Sequence, residues 1–252
     1  MSRTPARVLA ASALCAAALL TGAACTAGQS GRTVRVPAPM ATRQPGAVAA
    51  PAAALTPDQA HTALLTEADL GAGWAPTQGA ATWRDGMLKA QADSSECGRL
   101  LDALYTEEPL GAPSGAHAVA AYDDGEAGAQ LRHQVLALHA PDVDRVLAWL
   151  RTMPQTCAAF SATTANSGVL DVRVTNLALP DTGDARQGLR VTVTDESPDT
   201  LTLDLATVRV GDDAIVLTNG TLGMPVRNAT EQAVQHAVDR LTAVQRKARA
   251  QA

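Results

Sequence analysis

The spacing of apolar residues divides the chain into stretches of different character. Val8 to Ala24 is one continuous apolar run. Residues 26–55 are rich in Pro, Ala, Gly and Thr and show no apolar period, which predicts an extended tether reaching about 30 Å at ~5–6 Å × √n. Thr56-Pro57-Asp58 supplies a capping hydroxyl and a proline in the first turn, predicting a short helix to about Leu65. "LTEADLGAGW" predicts a further turn broken at Gly71 and Gly73. In "SSECGRLLDALY", Cys97, Leu100, Leu101 and Leu104 fall at i, i+3, i+4 and i+7, so a helix is expected with the cysteine on its apolar stripe.

Between Gly115 and His139 the residues alternate, and two strands joined at Asp123-Asp124-Gly125 are expected; the alternative is a strand followed by a helix from Glu126. Beyond Pro141 the period is helical again: Val143, Val146, Leu147 and Leu150 form one face, and Pro154 is expected to end the run just before Cys157. From Gly168 to Leu222 the period becomes two. "VLDVRVTNLAL", "GLRVTVTDE", "TLTLDLATVRV" and "DAIVLTNGTL" are separated by turn-forming residues and predict a four-stranded antiparallel meander. A last helix is expected after Asn228-Ala229-Thr230-Glu231, with Val234, Val238, Leu241 and Val244 inward and Arg246, Lys247 and Arg249 at its C-terminal end. The fold class expected is therefore α+β, an antiparallel meander flanked by helices in a single domain.

Composition adds that the core must be built from Ala, Val and Leu, since the 252 residues include only six aromatics and a single isoleucine, Ile215. Charge is uneven along the chain. The first acidic residue is Asp58, and five arginines (Arg3, Arg7, Arg32, Arg35 and Arg43) precede it; beyond that point 25 acidic residues face only fifteen of the 20 basic ones. An acidic body repels phosphate, so nucleic acid is excluded as a partner. A short basic arm beside it suits an anionic membrane surface.

The N-terminal stretch has the three parts of an export signal: Arg3 and Arg7, the apolar run, then small residues. A retained membrane anchor is the alternative, but 17 Ala-rich residues are at the lower limit for crossing a bilayer. Gly22-Ala23-Ala24-Cys25 resembles the lipobox of bacterial lipoproteins, with Gly22 departing from the usual leucine. Removal of residues 1–24 discards Cys15 and leaves three cysteines, and lipid attachment at Cys25 accounts for the odd one. Ordinary cleavage after Ala24, giving a secreted protein, is the other reading. The boundaries expected are thus a lipoprotein signal peptide over 1–24, a tether over 25–55 and a domain over 56–252, with the product on the outer face of the cell membrane. Cys97 and Cys157, each on or beside an inner helix face in an exported chain, are expected to form a disulfide.

As an ordered set, "LTEADLGAGW", "ECGRLLDAL", "AHAVAAYDDG", the helix ending in Cys157, "VRVGDDAIVLTNG" and the amphipathic last helix resemble the PknH-type extracellular sensor domain family of actinobacteria, over residues 56–245. The resemblance implies an antiparallel sheet flanked by helices around a cleft, standing outside the cytoplasmic membrane on a receptor kinase or on a free lipoprotein. The chain departs from the pattern in having one cysteine pair where some members have two, and neither a kinase domain nor a cytoplasmic segment is expected.

Catalytic signatures are missing: the chain has no G-x-S-x-G, S-x-x-K, H-E-x-x-H, Walker or dinucleotide motif. His133 and His139 are expected about 20 Å apart on one strand at ~3.3 Å per residue, too far to share a metal. Asp123-Asp124-Gly125-Glu126 and Asp212-Asp213 read as turn residues. No enzyme activity, cofactor or metal is therefore expected. The reading is a non-catalytic binding module for an unidentified envelope ligand or partner protein, with Trp74 and Trp83 as candidate lining residues, core packing being the other role for them. The alternative is a carrier that shields a lipid or other apolar molecule.

Overall fold

A computed structural model of the protein describes residues 54–79, 83–113, 115–166, 168–195 and 200–251. The signal segment, Cys25 and most of the tether lie outside these residues. The chain begins with α1 (Pro57–Thr62), whose Thr56 cap and Gln59 side chain form a reciprocal capping box, and α2 (Glu67–Leu70). Gly71 and Gly73 then take φ of 92° and 100°, conformations that favour glycine, and turn the chain into β1 (Trp74–Pro76). A π-helical turn (Arg84–Leu88) and β2 (Ala90–Ala92) lead to α3 (Ser95–Thr106). The hairpin β3 (His117–Asp124) and β4 (Ala129–Ala137) precedes α4 (Ala140–Thr156). The strands β5 (Ala159–Thr164), β6 (Val169–Leu177), β7 (Ala185–Thr194), β8 (Thr200–Val210) and β9 (Asp213–Leu222) then run to α5 (Ala229–Gln251).

The nine described strands form one antiparallel sheet in the order β1-β3-β4-β9-β8-β7-β6-β5-β2. The expected α+β class and the meander are both present, with β5 extending the meander to five strands. Because β9 pairs with β4 as well as β8, the last strand joins the hairpin to the meander.

Alternation along the strands gives the sheet two apolar faces. On β8, Leu201, Leu203 and Leu205 face one cluster, while Ala206, Val208 and Val210 face the other. The first cluster lies beneath α3 and α4 over β5–β8. The second lies beneath α1, α2 and α5 over β3, β4, β8 and β9. Two helices bury the stripes their sequences predict, Cys97, Leu100, Leu101 and Leu104 on α3 and Val234, Val238 and Leu241 on α5, with Val244 half-buried; α4 buries Val143, Leu147 and Leu150 but leaves the expected Val146 half-buried.

Several expectations are corrected. The first helix stops at Thr62, because Leu64 and Leu65 turn inward to the sheet instead. There the Leu65 N–H donates to Nδ1 of His133 at 3.1 Å, and its carbonyl accepts from the Tyr122 hydroxyl at 2.6 Å. These two side chains satisfy backbone groups that helix would otherwise have paired. Pro154 does not end α4, which continues to Thr156; a proline this close to the C-terminus removes a single helical hydrogen bond while later residues still bond, as Cys157 N–H does to the Met153 carbonyl at 2.8 Å. The β3–β4 turn falls at residues 125–128 and so begins two residues later than expected, because Asp124 stays on the strand end and its side chain accepts from the Glu126 and Ala127 N–H groups at 3.0 Å.

Cys97 of α3 and Cys157 at the end of α4 form a disulfide with Cα atoms 5.6 Å apart. Beside it, the Arg99 guanidinium of α3 stacks over the Trp149 ring of α4 at 4.2 Å.

Candidate functional site

The α5 helix runs past the edge of its apolar cluster, and its last turns shape a cavity at the end of the sheet. Its buried stripe of Val234, Val238 and Leu241 continues one turn further as Gln245 and Ala248. Gln245 Nε2 donates to the Val210 carbonyl at 3.0 Å and to Asp213 Oδ2 at 2.8 Å, which ties the helix to the β8–β9 turn. The same turn is fixed from the other side, where the Asp212 carbonyl accepts the Leu138 N–H at 2.9 Å and its carboxylate accepts the Ala140 N–H at 3.3 Å. The incoming chain at Ala54 and Leu55 closes a third wall.

These elements enclose about 370 Å³, within the ~300–1,000 Å³ typical of small-molecule sites. Its apolar walls come from Leu55, Ala137, Leu138 and Ala248, and its polar groups from Gln59, His139, Asp212, Asp213, Gln245 and Arg249. Asp213 is buried, while Asp212, His139 and Arg249 are exposed at the rim. Burial pushes the Asp213 carboxyl above its ordinary range; the Gln245 hydrogen bond pulls the other way, and the neighbouring Asp212 carboxylate adds to the rise.

The residues singled out by sequence lie elsewhere. Trp74 is buried among the residues under α1 and α2, and neither it nor Trp83 is among the described residues bordering the cavity. Trp83 packs against Gly220 of β9, where an added Cβ would overlap its ring. His133 is fully buried on β4, whereas His139, expected on the same strand, lies beyond its end at the N-cap of α4, because β4 stops at Ala137. Asp124 and Asp213 stand at opposite ends of the sheet, since β4 pairs β3 Asp124 through Ala129 and β9 Asp213 through Ala137. Among the described residues no group of three or more His, Cys, Asp or Glu side chains is arranged to hold a metal.

Two other charged clusters neutralise themselves. Asp204, buried on β8, receives both Nε and Nη2 of Arg190 at 2.7 and 2.8 Å and the Thr230 hydroxyl of α5 at 2.7 Å. Glu107, at the end of α3, is flanked by Arg84 at 3.1 Å and Arg132 at 2.9 Å. With their charges matched inside the protein, both read as locks between sheet and helices rather than as ligand sites.

The cavity residues had one signal in the sequence. Gln245 falls four residues after Leu241 and seven after Val238, a polar side chain on an otherwise apolar stripe. Its partner Asp213 reads there as an ordinary turn residue, because the contact depends on how α5 is laid across the sheet.

No protein-family model matches the chain, and no curated protein matches it in sequence. Among solved structures, the extracellular domain of PknH from Mycobacterium tuberculosis aligns with a TM-score of 0.50 at 14% identity, over 76% of this chain and 99% of that one. That likeness is one of fold. Uncharacterized proteins from Rhizobium leguminosarum and Bacillus thuringiensis align with TM-scores of only 0.27 and 0.25, at 8% and 11% identity, each over 52% of this chain and 98% of the other.

Proposed function

We propose that this chain is a non-catalytic, extracytoplasmic binding module, held to the membrane by a lipid on Cys25, which receives a small envelope molecule in the cavity between α5, the β8–β9 turn and Leu55. The cavity carries this reading: about 370 Å³ with mainly apolar walls and a few convergent polar groups is the usual form of a small-molecule site. Its size favours a compact ligand over the carried lipid of the alternative reading. The extracellular origin of the PknH domain that shares the fold supports an extracytoplasmic location. So does the disulfide, since such bonds persist outside the reducing cytosol. In this scheme residues 1–24 are removed on export and the chain between Cys25 and Ala54 holds the domain away from the bilayer. Two acyl chains on Cys25, each contributing ~0.8 kcal/mol per buried CH₂, make the attachment lasting.

Two measurements test the two halves of this reading. Native mass spectrometry of the chain taken from its own membrane is expected to show a retained small molecule that is lost when Leu138→Trp fills the cavity. A bound whole lipid would support the carrier instead, and bare protein would argue against both. Labelled palmitate is expected to enter the wild-type chain and not Cys25→Ser; a label that survives the substitution refutes the anchor.

A further inference from the structure

The cavity holds a charge that the protein does not balance. Asp213 is 8% exposed, and its carboxylate receives a hydrogen bond from the neutral Gln245 amide; among the described residues it is in no ion pair. A buried carboxylate without a cation is costly, and proteins normally pair such groups, as this one does at Asp204 and Glu107. Arg249 borders the same cavity but stands exposed on the last turn of α5 and makes no contact with Asp213. The second acid of the lining, Asp212, is held at the rim by the Ala140 N–H. The apolar part of the same lining is supplied by Leu55, Ala137, Leu138 and Ala248.

An anion in this space would meet two carboxylates, with only the exposed Arg249 at the mouth to attract it, and a neutral molecule would leave Asp213 buried and unpaired. A hydrated metal ion would waste the apolar walls and find too few oxygen ligands. A group that donates several hydrogen bonds, carries one positive charge and is attached to a short hydrocarbon body satisfies both halves of the site.

We propose that the cavity binds a small amphiphilic amine, its ammonium group donating to the Asp213 carboxylate and its hydrocarbon body packed on Leu55, Leu138 and Ala248. The proposal rests on the reading of this cavity as the ligand site and adds the chemical class of its occupant. Gln245 acts as a positioning residue, holding the carboxylate toward the space from the helix side. Arg249 at the mouth disfavours entry of a second positive charge, so a monoamine is preferred to a polyamine.

The test compares three probes of equal length, hexylammonium, hexanol and hexanoate, against the full-length chain in phosphatidylcholine nanodiscs. Calorimetry with empty discs as the blank gives affinity, and hydrogen exchange at residues 211–213 and 245–249 gives location. Hexylammonium is expected to bind tightest, to slow exchange in both segments, and to lose ~30-fold in affinity in Asp213→Asn, whose amide oxygen still accepts from Gln245. Unchanged hexanol binding in that variant shows that it is folded. Equal binding of all three probes, or a preference for hexanoate, overturns the amine proposal while leaving the cavity a ligand site. If no probe slows exchange in either segment, the ligand-site reading falls together with the proposal.

Discussion

Replacing Cys97 and Cys157 together with alanine is expected to lower the stability of the domain by about 4 kcal/mol, the chain-entropy value for a closed loop of 60 residues. For a domain of this size the loss corresponds to a fall in midpoint temperature of roughly 8–16 °C, at ~2–4 °C per kcal/mol. The effect is large because of what the loop contains. Between the two cysteines lie the rest of α3, the whole β3–β4 hairpin and α4, so in the unfolded chain the bridge restricts both helices of one sheet face and a hairpin of the sheet itself. In the folded chain it fastens α3, which otherwise packs on the π-helical turn, the three-residue β2 and α4. The Arg99–Trp149 stack and the Leu100, Leu101 and Leu104 stripe remain in the double variant, so the fold is expected to persist with its far-ultraviolet spectrum unchanged. Denaturant unfolding of oxidised wild type, reduced wild type and the double variant measures the difference. A double variant within about 1 kcal/mol of oxidised wild type would show that the constraint on the unfolded chain is not what the bridge contributes.

What was legible in the sequence follows from where each element gets its stability. On α3 and α5 the buried residues are those at helical spacing, because each helix lies on the sheet by one apolar stripe and the other side meets water. The alternation of β6 likewise survives into the fold, with Leu170, Val172 and Val174 buried and Asp171, Arg173 and Thr175 exposed. The short and marginal strands left no such trace. In β5 only Ala162 is buried, so "AFSATT" lacks an apolar period, and three-residue β1 and β2 are too short to show one. They are strands because the neighbouring strand offers unpaired backbone groups, a property of the partner. The pairing of β9 with β4 is equally remote, joining residues about eighty apart. The cavity lies where these nonlocal placements meet, at the ends of β4, β9 and α5 and the chain leading into α1. For that reason the sequence pointed to Trp74 and Trp83 as candidate lining residues, while Asp213 read as a turn residue and Gln245 was not singled out.

Acidification is expected to weaken the fold through His133, by an amount that grows as pH falls from about 6.5 toward 3. The imidazole is fully buried and accepts the Leu65 N–H at Nδ1, which places its proton on Nε2, where it finds no hydrogen-bond partner. Burial holds the ring neutral and lowers its pKa from 6.5 to about 3; the Arg240 guanidinium adds to this and the Asp69 carboxylate opposes it. In the unfolded chain the same ring titrates near its ordinary value. Between the two values the unfolded state therefore binds one more proton than the folded state, and stability decreases as pH falls, by up to about 1.4 kcal/mol per unit. At pH 7 the ring is neutral in the folded state and mostly neutral in the unfolded one, so the group contributes little pH dependence; by pH 4.5 the loss amounts to about 3 kcal/mol. Carboxylates titrate over part of the same range, so the measurement must isolate this ring. His133→Asn does so, since its side-chain oxygen can take the Leu65 N–H and it has no proton to gain. The variant is expected to be less stable than wild type at pH 7, with a gap that narrows by about 3 kcal/mol on going to pH 4.5. Parallel pH curves for the two proteins would mean that protonation of His133 is accommodated in the folded chain. In that case the link from α1 to the sheet at Leu65 opens without loss of the core.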